Sequence, residues 1–350
     1  MNSKEHITLV GAGLSGPVMA TYLSSLGFSI NVYEARSDMR KISTSAGRSI
    51  NLALSARGIR ALKDIGVFKK IEPDLIPMSG RMIHDANGNM NFQPYGQKRN
   101  EVIFSVSRSN LNKKLMNYAE STNLVNFYFN HELKNIDLKK SELSFNNNDI
   151  PFSVVLGSDG ASSIVRDFMG KYSNATITKK PLGHGYKELT ILPSSTGEFQ
   201  MESNSLHIWP RGKFMLIALP NLDKSFTCTL FLPMEGINSF HHLNTEDKVL
   251  DFFQKYFPDT LNLIPNLPYE FLKRPVGKLG SIYCNKWNYK GIAAIFGDAA
   301  HTIVPFFGQG MNASLQDCTV MCSLVKKYNG NWDKIFSRFS EIQVANGYAI

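Results

Sequence analysis

Hydrophobic and polar positions alternate with two distinct periods along this chain. Residues 7–10 form a short apolar run and a glycine-rich stretch follows at 11–16. Apolar positions then recur with helical spacing as far as Leu26, and Gly27 ends the pattern before a second run at 29–33. This predicts a β-α-β opening. A helix is expected over 55–65, and residues 81–95 read as a hairpin around Asn87-Gly88, a dipeptide suited to the positive φ angles of a two-residue type I′ turn. A helix over 110–120, strands over 125–129 and 151–156, and a turn at Asn146-Asn147-Asn148 return the chain to the first sheet. From about 183 to 278 the period falls to two, with strands at 206–209, 214–219 and 226–231 and one helix near 246–256. That segment predicts an antiparallel sheet with helical cover. A buried strand at 291–296 then leads through Gly297-Asp298 into a helix over 312–327. The expected class is α/β: a nucleotide-binding sheet interrupted by an antiparallel one.

Composition narrows the function classes. The chain has 350 residues, 43% of them hydrophobic and 19% charged, which excludes a disordered protein. Its net charge of +9 is spread without a block of like charges, so no nucleic-acid arm is expected. The four cysteines show no paired or His-rich ligand spacing, so no metal site is predicted, and small buried thiols in a reducing, cytoplasmic setting fit best. The N-terminus lacks a signal-peptide layout, and the longest apolar runs fall far below the roughly 20 residues that span a bilayer.

The chemistry sits in three motifs. Gly11, Gly13 and Gly16 form GxGxxG between strand and helix, where glycines permit a tight turn, close approach to a pyrophosphate and tight helix packing. Ser15 lies in the same turn, and Glu34 at the end of the second strand can accept from both ribose hydroxyls of an adenosine. That favours NAD or FAD over NADP, and a purely structural glycine turn stays open. Gly297-Asp298-Ala299-Ala300-His301, followed by Pro305 to Asn312, separates the two cofactors. After a buried strand, Asp298 can hold the ribityl hydroxyls of a flavin, and Gly310, Met311 and Asn312 begin a helix whose N–H groups face the ring. An N-capping aspartate in an ordinary loop is the competing reading. His301 alone reads as structural. The third motif, Gly157 to Arg166, includes Asp159 and resembles the DG motif of flavin hydroxylases, associated with both FAD and NADPH.

The order GxGxxG, DG, GD is similar to that of the FAD-dependent aromatic hydroxylases. The resemblance implies the para-hydroxybenzoate hydroxylase fold: a Rossmann-like FAD-binding domain of residues 1–75, 100–178 and 284–350, with an inserted antiparallel-sheet substrate domain of 76–99 and 179–283. Within that group Tyr33-Glu34-Ala35-Arg36, Gly47-Arg48-Ser49-Ile50-Asn51-Leu52-Ala53-Leu54-Ser55, Arg81-Met82-Ile83-His84, Pro94-Tyr95-Gly96 and Ser105-Val106-Ser107-Arg108 resemble the kynurenine 3-monooxygenase family over nearly the whole chain. The resemblance implies tightly bound FAD, held by Ser15, Tyr33 to Arg36, Ala53, Arg108, Leu133, Asp298, Met311 and Asn312. It also implies Arg81 and Tyr95 on the substrate carboxylate, with Phe231, Phe306 and Phe307 lining an apolar ring pocket.

The reaction so implied is 3-hydroxylation of L-kynurenine, with NADPH as transient co-substrate and O2 carried at the flavin C4a. No catalytic acid or base is expected on the protein, because the aniline already activates the ring. Hydroxylation of another anionic aromatic, bare NADPH oxidation and a plain NAD dehydrogenase remain as alternatives. The family continues as helices beyond the position of Ile350, so either a truncated chain or a short form is expected here, with any membrane anchor confined to the part beyond. Taken without the resemblance, Arg81 reads as a solvated hairpin charge and Tyr95 as a packed aromatic. A two-residue turn at Asn87-Gly88 would pair Arg81 with Pro94 and send Tyr95 to the opposite face, so a bulge near Pro94 is expected.

Overall fold

The computed structural model describes residues 6–42, 51–98, 100–146 and 148–350. Residues Gly47, Arg48, Ser49 and Ile50 of the expected family motif, and Asn147 of the expected turn, lie outside the described residues.

The first sheet has six strands in the order Asn288–Tyr289, Ala293–Ile295, Val154–Gly157, His6–Val10, Ser29–Glu34 and Val125–Phe129. All neighbours run parallel except the first pair. Helices Ser15–Ser25 and Gly310–Tyr328 pack into the core that this sheet shares. With both faces covered, the central strands carry side chains buried on each side, and for that reason they read as unbroken apolar runs in the sequence.

The second sheet has seven strands, ordered Gly277–Cys284, Ile177–Ile191, Phe226–Pro233, Phe214–Pro220, Ser205–Arg211, Gly80–His84 and Met90–Pro94. Its alternation follows from its two different faces. Leu189, Ile191, Trp209, Leu216 and Leu230 share a core with helices Glu246–Tyr256 and Leu267–Lys273. Lys187 is buried on that face as well: its Nζ donates to the Phe271 carbonyl at 2.5 Å, in the last turn of a helix, and burial brings its pKa down to about 8. The opposite face carries Tyr186, Glu188, Ile208, Ile217, Thr229 and Phe231 and forms the floor of a cavity.

A small sheet of Asn51–Leu54, Ile103–Ser107 and Ile76–Met78 sits between the two and ends at Arg108, the first residue of helix Arg108–Glu120. Ile76–Met78 pairs with Ile103–Ser107 and not with the seven-stranded sheet, so the crossing into the second layer falls near Ser79. The segment expected as one strand over 151–156 splits. Asp149–Pro151 joins a separate three-stranded sheet and Val154–Gly157 joins the parallel one.

The hairpin differs from its sequence reading by one residue. Asp85 N–H donates to the Asn89 carbonyl at 3.0 Å, leaving a three-residue loop with Gly88 at φ +85°. The Asp85 carboxylate accepts from the backbone N–H of Asn87 and of Asn89, both at 2.8 Å, and this local bonding selects the longer loop. Arg81 therefore pairs with Gln93, and Gly80 with Pro94. Since side chains two apart on a strand share a face, Tyr95 now lies on the same face as Arg81. No bulge at Pro94 is needed; the expected difficulty came from the assumed turn length.

Candidate active site

The three glycines of the first motif divide their work. A Cβ on Gly11, at φ +102°, would stand 2.5 Å from the Ser158 carbonyl oxygen, and one on Gly16 would stand 2.2 Å from that of Gly11. Both positions are closed by the protein itself. A Cβ on Gly13 would meet nothing within 4 Å. The strand-to-helix turn thus leaves one open concavity, at the position where the motif brings a pyrophosphate against the backbone. Helix Ser15–Ser25 starts there without a side-chain cap, so its first N–H groups have no side-chain acceptor. Asn112 supports this turn by donating to the Ala12 carbonyl at 3.0 Å. It is a residue the motif reading missed, because its partner lies a hundred positions away.

Glu34 is buried at the end of its strand. Oε2 accepts from Ala12 N–H at 2.8 Å, and Oε1 accepts from Arg36 N–H and Nε at 3.0 and 2.7 Å. Burial pushes its pKa up, but the Arg36 side chain and these backbone donors outweigh that and hold it below the ordinary carboxylate range. The Arg36 side chain is 71% exposed, so it can swing away and free lone pairs for a ribose. Tyr33 is buried between Tyr128 and Phe145, Leu133 is buried behind them, and Ala35 is exposed.

Asp298 sits in the turn Gly297–Ala299 directly after the buried strand. Its carboxylate makes no hydrogen bond or ion pair among the described residues. Burial raises its pKa, against the opposing pull of His301 and Arg108. An unpartnered acceptor beside the uncapped start of helix Gly310–Tyr328 suits hydroxyl donors and an electron-rich ring. Asn312 uses its side chain within the protein. Its Oδ1 accepts from Ser55 N–H at 2.8 Å, and its Nδ2 donates to the Ala53 and Gly308 carbonyls at 2.8 and 3.1 Å. That side chain clamps the small sheet to the helix, so Gly310, Met311 and Asn312 are left with backbone N–H groups to offer.

The Gly297 turn is braced from behind by a buried network. Asp317 Oδ2 accepts from Gly297 N–H at 2.8 Å and pairs with His301 Nε2 at 2.7 Å, while Oδ1 accepts from Gln343. His301 lies flat on Trp287, with ring centroids 4.9 Å apart. Burial lowers the His301 pKa, but the Asp317 carboxylate overrides this and leaves it above the ordinary 6.5. A raised histidine pKa adds stability that is complete below about pH 6.5 and is lost as pH rises through the folded value. The stability gap between wild type and Asp317→Asn, measured by urea unfolding across pH, is therefore expected to be widest in acid and to close on the alkaline side. A gap that widens with pH would contradict the ion pair.

Asp159 serves its own helix. Its carboxylate accepts from Ser163 Oγ and from the Ile164 and Val165 N–H groups, capping Ile164–Tyr172, and burial raises its pKa despite these donors. Its neighbour Arg166 is fully buried and donates through Nη1 to the Ala299 carbonyl at 3.1 Å, tying this motif to the Asp298 turn.

Between the seven-stranded sheet, the small sheet and the 302–309 segment lies a cavity of about 860 Å³. It is lined by Arg81, Tyr95 and Phe231 from the second sheet and by Ala53, Arg108 and Gly308 from the cofactor side. Arg81 lies over the Tyr95 ring, 5.2 Å from its centroid. Among the described residues the Tyr95 hydroxyl is buried with no hydrogen-bond partner in good geometry; burial raises its pKa while the neighbouring Arg81 guanidinium pulls against that. Phe231 is buried and meets Phe306 edge-to-face at 5.2 Å, whereas Phe307 is 78% exposed at the rim. The structure thus brings Arg81, Tyr95, Phe231 and Arg108 to one space. Because the Tyr95 hydroxyl has no well-formed hydrogen bond among the described residues, Tyr95→Phe is expected to change stability by no more than about 1 kcal/mol, while weakening a carboxylate ligand about tenfold. Melting curves and ligand titration of the same FAD-loaded sample check both halves.

Among the described residues, a glycine turn open at Gly13, an unpaired Asp298 carboxylate and two helix starts without side-chain caps fit a dinucleotide-binding flavoprotein, with a cavity beside them. Residues 4–334 match the FAD binding domain family. A kynurenine 3-monooxygenase of Myxococcus xanthus (strain DK1622) is 43% identical over 99% of this chain and 76% of its own length. The kynurenine 3-monooxygenase of Sus scrofa is 43% identical over 98% of this chain and 74% of its own length. The chain belongs to the kynurenine 3-monooxygenase family. Among solved structures, a 2-methyl-3-hydroxypyridine-5-carboxylic acid oxygenase aligns with a TM-score of 0.78 at 17% identity, covering 96% of this chain and 86% of its own. P. aeruginosa PqsL, solved in complex with 2-aminobenzoylacetate, aligns at 0.79 and 15% identity, covering 99% and 93%. These two likenesses bear on the fold alone.

Proposed function

We propose that this chain hydroxylates L-kynurenine at ring position 3, using FAD, NADPH and O2. The observation that carries the reading is the hairpin register, which puts Arg81 and Tyr95 on one face of a cavity also lined by Ala53, Arg108 and the 305–309 turn that precedes helix Gly310–Tyr328. A guanidinium fork and a phenol beside it suit a carboxylate. Phe231 and Phe306 supply an apolar wall for a planar ring.

When bound, FAD supplies acceptance of hydride from NADPH and transfer of one oxygen atom of O2 to the ring. At the adenosine and pyrophosphate end the turn of Gly11, Gly13, Ser15 and Gly16, with Glu34, would hold FAD. Asp298 would accept from its ribityl hydroxyls, and the N–H groups of Gly310, Met311 and Asn312 would face its ring. The protein's part in the reaction is placement: the carboxylate anchored at Arg81, the ring held against Phe231, and water displaced from an apolar floor. The cofactor unit of residues 1–75, 100–178 and 284–350 and the substrate unit of 76–99 and 179–283 belong to this proposal, supported by how the strands sort between the sheets, with Ile76–Met78 moved to the cofactor side. Among the described residues no helix is long and apolar enough to cross a membrane. A cytoplasmic location is supported by four buried, unbridged cysteines.

The test is NADPH consumption by FAD-loaded protein with and without L-kynurenine, with chromatography for 3-hydroxy-L-kynurenine in the same samples. Product formed in step with NADPH use is the expected result. Peroxide without hydroxylated product would make the chain an NADPH oxidase, and turnover of salicylate alone would move the substrate to another anionic aromatic.

A further inference from the structure

The charged groups of the cavity are of one sign with a single exception. Among the described residues that line it, Arg81, Arg108, Arg211, Lys213 and Lys278 are cationic, and Glu188 is the one carboxylic acid. Glu188 stands on strand Ile177–Ile191, with Lys187 and Leu189 on either side of it turned into the helix-covered core. Its cross-strand partner is Thr229, and Phe231 lies on the next row of the same face. Strand Gly277–Cys284 has already left this edge, since its last pairing is Gly277 with Tyr186. The Glu188 carboxyl makes no hydrogen bond or ion pair among the described residues. Burial pushes its pKa up while Arg274 and Arg108 pull against that. A half-buried carboxyl without a donor costs free energy that a ligand's N–H can recover.

Resting on the substrate reading above, we propose that Glu188 accepts a hydrogen bond from the aromatic amine of the substrate and thereby selects ortho-amino aryl ketones over aryl ketones that lack the amine. Position along the sheet decides which amine it meets. Four strand steps separate Gly80–His84 from Ile177–Ile191, roughly 19 Å between their backbones at about 4.8 Å per step. An α-ammonium lies one carbon from the carboxylate that Arg81 holds, so it stays at the Arg81 end. The ring and its amine extend toward Glu188. Phe231, one row from Glu188 on the same face, meets Phe306 in the turn that leads into helix Gly310–Tyr328, which sets Glu188 toward the cofactor end of the cavity. The ring carbon to be hydroxylated is the neighbour of the one bearing the amine. An amine fixed at Glu188 therefore determines which ortho edge of the ring is held at the cofactor end.

The test compares binding of L-kynurenine and its des-amino analogue, 2-amino-4-oxo-4-phenylbutanoate, to FAD-loaded wild type, Glu188→Ala, Glu188→Gln and Glu188→Asp by equilibrium dialysis. Wild type is expected to prefer L-kynurenine. Glu188→Ala weakens L-kynurenine about 10- to 100-fold and leaves the analogue within about twofold. Glu188→Gln, which keeps the shape and one carbonyl acceptor, falls between, and Glu188→Asp recovers part of the preference. FAD content reports folding of each variant. Equal weakening of both ligands, or an unchanged preference in Glu188→Ala, overturns the assignment and leaves the substrate reading intact. A wild type that binds neither ligand overturns the substrate reading, and this assignment with it.

Discussion

Gly13→Val is expected to give a chain that folds like the wild type and no longer retains FAD. Gly13 is not among the glycines at positive φ, and a Cβ there meets nothing within 4 Å, so valine adds no clash and no backbone strain. Its methyls occupy the space in which the pyrophosphate meets the turn, and they displace it from the N–H groups at the start of Ser15–Ser25. Losing two or more charge-assisted hydrogen bonds predicts an FAD affinity lower by at least about 100-fold. The stability of the apoprotein is expected within about 0.5 kcal/mol of wild type. Gly11→Ala provides the contrast. Its Cβ is forced against the Ser158 carbonyl at a left-handed φ, so fold and FAD are lost together. Flavin absorbance after desalting and urea unfolding of the apoproteins separate the two cases. A Gly13→Val protein that keeps its flavin would place the pyrophosphate elsewhere.

Arg81→Ala is expected to lower kcat/KM for L-kynurenine by about 100-fold, mostly through KM, with FAD content unchanged. Arg81 is an exposed residue on the hairpin of the second sheet, so its loss removes no core packing. The carboxylate loses a two-pronged donor, and the remaining phenol cannot neutralise it. Lysine restores charge without the fork, so Arg81→Lys is expected to recover only part of the loss. Because Arg81 stands over the Tyr95 ring, the two act on one ligand group and their losses are expected to fall short of additive in Arg81→Ala/Tyr95→Phe. Steady-state kinetics on wild type, Arg81→Ala, Arg81→Lys, Tyr95→Phe and the double variant measure this. An Arg81→Ala enzyme with unchanged KM would remove the carboxylate from this end of the cavity.

What could be read before the fold was known, and what could not, divides along a physical line. A helix or strand buried on a constant face writes its period into neighbouring residues, so His6–Val10, Val125–Phe129 and Glu246–Tyr256 were legible within a residue or two. Strand Ile177–Ile191 was not singled out, and its first half could not be, because residues 178–183 are exposed and carry no alternation. The glycine turn and the Gly297-Asp298 loop were legible because their backbone geometry restricts the residue types allowed there. The hairpin register was misread, since Asp85 holds the loop one residue longer than the Asn87-Gly88 dipeptide suggests.

By itself, then, the sequence determined the two sheet types, the positions of the cofactor turns and the family, all of which depend on local period or on short motifs. The tertiary structure alone decided that Arg81 and Tyr95 share a face, that Asp317 and Gln343 brace the cofactor turn, that the Asn312 side chain is spent as a clamp, and that Glu188 is the carboxyl of the cavity. Each of these depends on side chains from segments far apart in the chain. Their meeting is set by how the sheets stack, and a local pattern carries no record of that.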